Sequence, residues 1–326
     1  ATYVPVDPTI PKDRYEYIIN DSKLKTLIAK KNVEYEFNID DKVMFLDDML
    51  KDIDSKDKSN VENDVDLDHS MYIIYTSGTT GVPKGVKIKH RSIANYMNWF
   101  KKAAKLSSDD KVVLISSFSF DLGYTAFYSS ILNGCELHLL KKEEYTDPSN
   151  LLDYIMSNKI TYAKMTPSLF KIISSAELFK NGQGFKSMRL VVLGGEMINL
   201  SDVEEMHKVY PDVSVLNHYG PTETTIGVIA HEIDFNNFEE YKKVPVIGKP
   251  IDNVQVYILD KTKKMLPIGV PGEIYISGEC LAEGYVNNEK LTNEKFIQNP
   301  FKENELMYCT GDKGLFTEYG EIDFLG

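Results

Sequence analysis

The sequence predicts an α/β protein of layered sheets flanked by helices, with a smaller β-rich subdomain towards its C-terminal end. Three observations predict it. Apolar strand-like runs alternate with amphipathic helical segments between Val112 and Leu216, the pattern that layers helices on sheets. Polar, glycine-bearing segments follow several of those runs, at the carboxyl ends of strands where such folds hold their ligands. Beyond Gly248 the texture changes to short alternating strands and turns, as in Val254 to Leu259, Glu273 to Ser277 and a hairpin-like stretch from Gly314 to Phe324 around Tyr319-Gly320. Residues 1–247 are therefore assigned to the α/β part and 248–326 to the β-rich subdomain.

Taken in order, Ala1 to Pro8 is apolar and strand-like, and Pro11 precedes a segment with Tyr15, Ile18 and Ile19 at helical spacing. Lys51 to Asp68 is a run of Asp, Lys, Ser and Asn with little to bury, which reads as an exposed connection. The apolar run Met71 to Ile74 then leads into Tyr75-Thr76-Ser77-Gly78-Thr79-Thr80-Gly81-Val82-Pro83-Lys84-Gly85. Its glycines let the backbone approach a ligand, its hydroxyls and N–H groups can bond anionic oxygens, and Lys84 adds a point charge. This is a phosphate loop suited to a nucleoside triphosphate. It is not the Walker loop, because Lys84 follows a proline and precedes Gly85 rather than a magnesium-binding hydroxyl.

After a strand at Val86 to Ile88, the residues Ile93, Tyr96, Met97, Phe100 and Ala104 form one helical stripe, with Ser92 expected as its cap and the core as its destination. Strands at Val112 to Ile115, Cys135 to Leu140, Thr161 to Met165, Leu190 to Leu193 and Val213 to Leu216 alternate with helices after Asp121, from Pro148, after Pro167 and from Ser201. The functional candidates fall at the strand ends: the loop after Tyr75, Asp121, Gly194-Gly195-Glu196, and Asn217 to Thr225.

Composition bounds the partners. With 326 residues, 42% hydrophobic and 26% charged, the chain can bury a large core. A net charge of -12 argues against nucleic acid or an anionic membrane as a partner. Cys135, Cys280 and Cys309 show no paired spacing for zinc or disulfides, so a reducing cytoplasm is expected. The first residues lack the charged-then-apolar pattern of a leader and no apolar run approaches the roughly 18 residues of a membrane helix, so the expectation, as far as this sequence goes, is a chain neither secreted nor membrane-spanning.

Asn217-His218-Tyr219-Gly220-Pro221-Thr222-Glu223-Thr224-Thr225 combines an aromatic face for a base, hydroxyls for an α-phosphate and one carboxylate for a hard cation. The phosphate loop resembles the signature of the adenylate-forming superfamily, which includes acyl-CoA synthetases, luciferases and the adenylation domains of nonribosomal peptide synthetases. The segment at Asn217 is similar to its N-x-Y-G-P-T-E motif, and Tyr308-Cys309-Thr310-Gly311-Asp312 to its Y-x-T-G-D. Gly272 to Gly278 and Leu281 to Tyr285 are similar to G-E-L-Y-x-x-G and L-A-R-G-Y, with Glu283 where arginine is usual. The resemblance implies ATP and Mg²⁺ as cofactors. It places Thr76, Ser77, Gly78, Thr79, Thr80, Gly81, Gly195, Glu196, Asn217, Tyr219, Gly220, Thr222 and Asp312 around the nucleotide. Tyr219 would stack on adenine, Asn217 bond its edge, Asp312 accept from the ribose hydroxyls and Glu223 hold the metal, with Thr222, Glu223 and Lys84 acting in catalysis.

Within the superfamily, Phe118-Ser119-Phe120-Asp121 decides, because an amino acid brings an ammonium group that is costly to bury unpaired. An aspartate at this motif resembles the one that binds the α-amino group in peptide-synthetase adenylation domains; as a bare residue, Asp121 could equally cap a helix. The pocket-lining positions carried over from the resemblance are Asp121, Leu122, Thr125, Lys164, Val192, Gly194, His218, Ile226 and Gly227. The string D-L-T-K-V-G-H-I-G looks like that of aspartate-activating domains, and Lys164 and His218 independently suit a second carboxylate. The expectation is an amino-acid adenylating, AMP-forming ligase. It would load L-aspartate onto the phosphopantetheine of a peptidyl carrier protein, among neighbouring synthetase domains. An acyl-CoA synthetase, or a non-catalytic nucleotide-binding fragment, is the alternative. By the same resemblance the chain starts in mid-fold and Glu321 to Gly326 precedes a mobile C-terminal subdomain whose catalytic lysine is absent, so weak turnover is expected of the chain alone.

Overall fold

The computed structural model describes residues 1–31, 43–77 and 81–326. β1 (Leu27–Ala29) and β2 (Val43–Phe45) form a small parallel pair, and β3 (Ser70–Ser77) and β4 (Pro83–Lys89) an antiparallel hairpin. Next come β5 (Lys111–Leu114), β6 (Glu136–Leu139), β7 (Tyr162–Met165), β8 (Leu190–Gly194), β9 (Ser214–Tyr219), β10 (Ile229–Glu232) and β11 (Lys249–Pro250). They make a seven-stranded sheet in the order β11-β10-β9-β8-β7-β5-β6, parallel from β9 to β6 and antiparallel at β10 and β11. The remaining strands are β12 (Val254–Leu259), β13 (Gly272–Gly278), β14 (Gly284–Tyr285), β15 (Phe296–Gln298), β16 (Leu306–Phe316) and β17 (Ile322–Phe324). All but β14 belong to a five-stranded sheet; β14 returns to the β3–β4 hairpin and pairs with β4.

Period-two alternation explains how the central sheet is buried on both faces. On one face Val113, Ala163, Met165, Val191, Leu193 and Val215 pack against Leu151, Leu152 and Ile155 of helix Pro148–Asn158, Phe170 of Pro167–Ser174 and Val203 and Met206 of Leu200–Val209. On the other, Val112, Tyr162, Val192 and Leu216 meet Ile93, Tyr96, Met97 and Phe100 of helix His90–Ala103. Each fully buried aliphatic or aromatic chain of this kind contributes about 1.5–3 kcal/mol. Lys164 lies on the second face, between Ala163 and Met165, so the strand's own alternation carries a lysine into the core.

Local chemistry sets the helix starts. Asp147 and Thr166 accept from the N–H groups of Asn150 and Leu169, and Pro148 and Pro167 occupy the first helical turn. Asn199 does the same for the helix that begins at Leu200. Ser92 does not cap its helix. The helix begins two residues earlier, at His90, and the buried Ser92 hydroxyl donates to the Leu281 carbonyl, 3.2 Å away, because the β-rich part packs over that turn. The run Lys51 to Asp68 is exposed throughout, its first residues completing the short helix Leu46–Ile53.

Candidate active site

The carboxyl end of β9 delivers Asn217, His218 and Tyr219 into the turn Gly220-Pro221 and the 3-10 segment Thr222–Thr224. A cavity of about 500 Å³ opens beside it, lined by Gly195, Glu196, Asn217, Tyr219, Gly220 and Asp312 among others. Asp312 arrives from β16. Thr310-Gly311-Asp312, an ordinary turn by composition, lies inside that strand: Gly311 at φ +84° takes up a register shift against β13, and the Thr310 hydroxyl accepts from the Asp312 N–H at 3.0 Å. This aims Asp312 at Tyr219, whose phenol donates to Oδ2 at 2.5 Å. Burial and the Asp312 carboxylate both push the Tyr219 phenol up, so it remains a donor. On the cavity's far rim Glu196 accepts from the Ser168 N–H at 3.0 Å and from its hydroxyl.

Thr225 and Ile226 both adopt left-handed φ, +66° and +64°, which is a strained conformation for β-branched residues. The strain is held by the Thr225 hydroxyl, which donates to the Cys280 carbonyl at 2.8 Å. The chain then turns through Gly227, where a Cβ atom would stand 1.9 Å from His218 Cε1. The glycine is the space the imidazole occupies.

Thr76 and Ser77 end β3, and Gly81 stands before β4; Gly78, Thr79 and Thr80 lie outside the described residues. Lys84 sits opposite Thr76 in the hairpin, and the Thr76 hydroxyl is buried with no partner among the described residues. Lys84 Nζ lies 2.5 Å from Glu223 Oε1, and the Tyr285 hydroxyl donates to the same oxygen at 2.8 Å. Burial pushes the Glu223 carboxyl up, but the Lys84 charge and these hydrogen bonds outweigh it and hold it below the usual range. Among the described residues no cluster of three or more acidic, histidine or cysteine ligands occurs. A single buried carboxylate is nevertheless a donor set that fits Mg²⁺ carried on triphosphate oxygens, since that ion is commonly held by one or two carboxylates plus substrate phosphates.

Behind the turn lies a second, more enclosed group. Asp121 opens the 3-10 segment Asp121–Gly123, and it is not that segment's cap, which is Phe120. Its Oδ2 is shielded from solvent and has no hydrogen-bond partner among the described residues. Burial raises its carboxyl; the Lys164 charge, the Thr222 hydroxyl and the Ile226 N–H act the other way without prevailing. Lys164, 4% exposed, donates to Thr125 Oγ1 at 3.1 Å. Burial pulls its ammonium down to about 7 against the Asp121 charge. For both partners desolvation outweighs mutual attraction. His218 is held neutral by burial and by Lys164. Val192 pairs with Lys164 across β7 and β8, and Gly194 with His218 across β8 and β9, so these positions neighbour the same buried side chains; Leu122 approaches the Cβ position of Gly195 within 3.9 Å.

Two aromatic residues of helix His90–Ala103 also reach this group: Tyr96, assigned above only to the core, and Trp99, which the sequence reading did not single out. The Tyr96 hydroxyl lies 2.8 Å from Thr125 Oγ1 and its ring 5.9 Å from Lys164 Nζ, and Trp99 stacks on the His218 ring at 5.7 Å and 8°. Trp99 is the sole tryptophan and sits three residues after Tyr96, a spacing that puts both on one helix face. Glu283, which stands where the resemblance has arginine, accepts from Lys87 Nζ and the Ser70 hydroxyl and ties the segment before β14 to the β3–β4 hairpin.

The chain is 45% identical over 326 residues to bacitracin synthase 3 of Bacillus licheniformis, covering all of this chain and 5% of that protein. It superposes on the crystal structure of the nonribosomal peptide synthetase FmoA3 with a TM-score of 0.91 at 24% identity, covering 100% of this chain and 34% of that one. A four-domain nonribosomal peptide synthetase solved with AMP and glycine aligns with a TM-score of 0.84 at 26% identity, covering 100% of this chain and 23% of that one. The chain thus spans a small part of the proteins it resembles. With the model of the AMP-binding enzyme family matching residues 1–286, the chain belongs to that family.

Proposed function

We propose that this chain forms an aminoacyl adenylate from ATP and an amino acid, with L-aspartate as the substrate, for loading onto the phosphopantetheine thiol of a carrier protein in cytoplasmic nonribosomal peptide synthesis. The observation that carries the reading is the unpartnered, solvent-shielded Asp121 Oδ2 beside Lys164 and Thr222. A carboxylate so placed is completed by an α-ammonium, and a lysine beyond it by a side-chain carboxylate. Tyr219 offers its face to adenine, Asp312 accepts from the ribose hydroxyls in place of Tyr219, and Thr222 contacts the α-phosphate. Lys84 exchanges Glu223 for phosphate oxygens. Mg²⁺ held at Glu223 supplies charge neutralisation on the phosphates. Asp121 fixes the amino acid by its ammonium so that its carboxylate attacks the α-phosphorus in line, and catalysis is positioning plus charge stabilisation. The residues 1–247 and 248–326 would act together, since Glu223 and Tyr285 come from the two parts.

Pyrophosphate exchange by the natural protein carrying this chain tests the reading, with aspartate, asparagine, glutamate and plain carboxylic acids as substrates. Aspartate is expected to drive exchange best, and Asp121→Asn to abolish it. Exchange driven by plain carboxylic acids and indifferent to Asp121→Asn would overturn the amino-acid reading in favour of an acyl-CoA synthetase.

A further inference from the structure

The segment Cys280 to Tyr285 lies across the turn that carries Glu223. Cys280 takes the Thr225 hydroxyl, the Ala282 N–H donates to the Glu223 carbonyl at 2.9 Å, and the Tyr285 hydroxyl donates to Glu223 Oε1. The same segment is registered to the phosphate hairpin: Tyr285 pairs with Val86 in β4, and the N–H groups of Glu283 and Val286 donate to Lys87 and Gly85 at 2.8 Å. Lys84 Nζ stands 4.8 Å from the centre of the Tyr285 ring. Tyr285 is thus the one side chain among the described residues that touches both the hairpin lysine and the turn carboxylate.

We propose that Tyr285 is a positioning residue for the divalent cation at Glu223. This rests on the reading of Glu223 as the cation's carboxylate. In the ligand-free protein both donors fall on Oε1. Once Lys84 turns to phosphate, the Tyr285 hydroxyl stays as the donor to Oε1, with the Tyr308 hydroxyl also beside the carboxylate, keeping Oε1 engaged and the carboxylate from rotating, with Oε2 turned to the cation. Partners that orient a metal's carboxylate are commonly worth 10–100-fold in affinity. The ring itself packs against Phe296, so loss of the hydroxyl alone leaves the packing in place.

The test is Mn²⁺ binding to the natural protein in the presence of α,β-methylene-ATP, followed by the electron paramagnetic resonance of free Mn²⁺, for wild type, Tyr285→Phe, Glu223→Gln and the double variant. Tyr285→Phe is expected to weaken Mn²⁺ roughly tenfold while metal-free binding of the analogue changes less than about twofold. Because the hydroxyl acts through Glu223, it should have no further effect once Glu223 is glutamine. Unchanged Mn²⁺ affinity in Tyr285→Phe, where Glu223→Gln does weaken it, overturns the inference alone, as does an additional loss in the double variant. Unchanged affinity in Glu223→Gln overturns the reading of Glu223 and the inference with it.

Discussion

The groove beside Tyr219 and the enclosed group of Asp121, Lys164 and His218 behind it handle their polar groups in different ways. In the groove the charged groups and phenols satisfy one another, although the Thr76 hydroxyl does not: Tyr219 bonds Asp312, Lys84 and Tyr285 bond Glu223, and Ser168 bonds Glu196. In the enclosed group behind it, Asp121 Oδ2 and His218 Nε2 have no hydrogen-bond partner among the described residues, and Lys164 has Thr125 as its one side-chain acceptor among them. Groups that trade one partner for another lose little when the ligand leaves, whereas an unpaired buried group carries its full desolvation cost. On the proposed function the groove would bind and release a common ligand, while the group around Asp121 would be completed by a ligand bearing matching charges, the way a site built around buried polar groups discriminates.

The largest expected effect tests that contrast directly. Asp121→Asn leaves a substrate ammonium buried without its counter-charge, a loss of roughly 3–5 kcal/mol. Amino-acid kcat/KM in pyrophosphate exchange should fall by two orders of magnitude or more, with nucleotide affinity by equilibrium dialysis little changed; a matching fall in nucleotide affinity would break the comparison. Lys164→Ala is expected to cost aspartate roughly one to two orders in kcat/KM, from a Coulomb energy of roughly 4 kcal/mol less desolvation, and asparagine less. Equal losses for the two would mean that Lys164 does not read the side-chain charge.

The lysine also predicts a pH dependence. With the ammonium pulled down to about 7 by burial, ligand-free Lys164 loses its proton as pH rises past that point. If, as proposed, aspartate is read by the charged form, its affinity should fall by up to about tenfold per pH unit above 7, while asparagine stays level. Calorimetry in two buffers should show proton uptake with aspartate only. Stability has the opposite sign: between about 7 and the roughly 10.4 of an unfolded lysine the unfolded chain binds the extra proton, so the fold gains stability with rising pH, and Lys164→Met should remove that slope.

What could be read from the sequence divides along the same line. The phosphate loop, the Asn217 to Glu223 segment and the alternation of β7 are local patterns, legible because each needs only a few consecutive residues. Partner choice was not legible. That Tyr285 reaches Glu223 across 62 residues, or that Tyr96 reaches Thr125, follows from how distant elements pack, and nothing in a helical stripe separates a core tyrosine from one whose hydroxyl enters a pocket. Ser92 had the right residue type for a cap and lost that role to packing from Leu281. Thr310-Gly311-Asp312 reads as a turn because a glycine at positive φ serves a bulge and a turn alike.

Glu283 gives the smallest effect and the finest check on the groove's self-pairing. Its carboxylate is held below the usual range: burial raises it, but Lys87 and Ser70 outweigh that. Both charged side chains are partly exposed, 30% for Lys87 and 37% for Glu283, so the pair belongs with surface ion pairs worth about 0.2–1 kcal/mol. Glu283→Arg places like charges together across Lys87 and should lower stability by about 1 kcal/mol or less, with most of the loss gone at high salt. Adding Lys87→Glu restores opposite charges in reverse order and should recover it, a double-mutant cycle readable by urea unfolding. If the pairing serves only to seat the segment that carries Tyr285, the reversed pair will match wild type in stability and in Mn²⁺ binding alike. Recovery of stability with Mn²⁺ binding still weakened would mean that the negative charge at 283 acts on the groove itself.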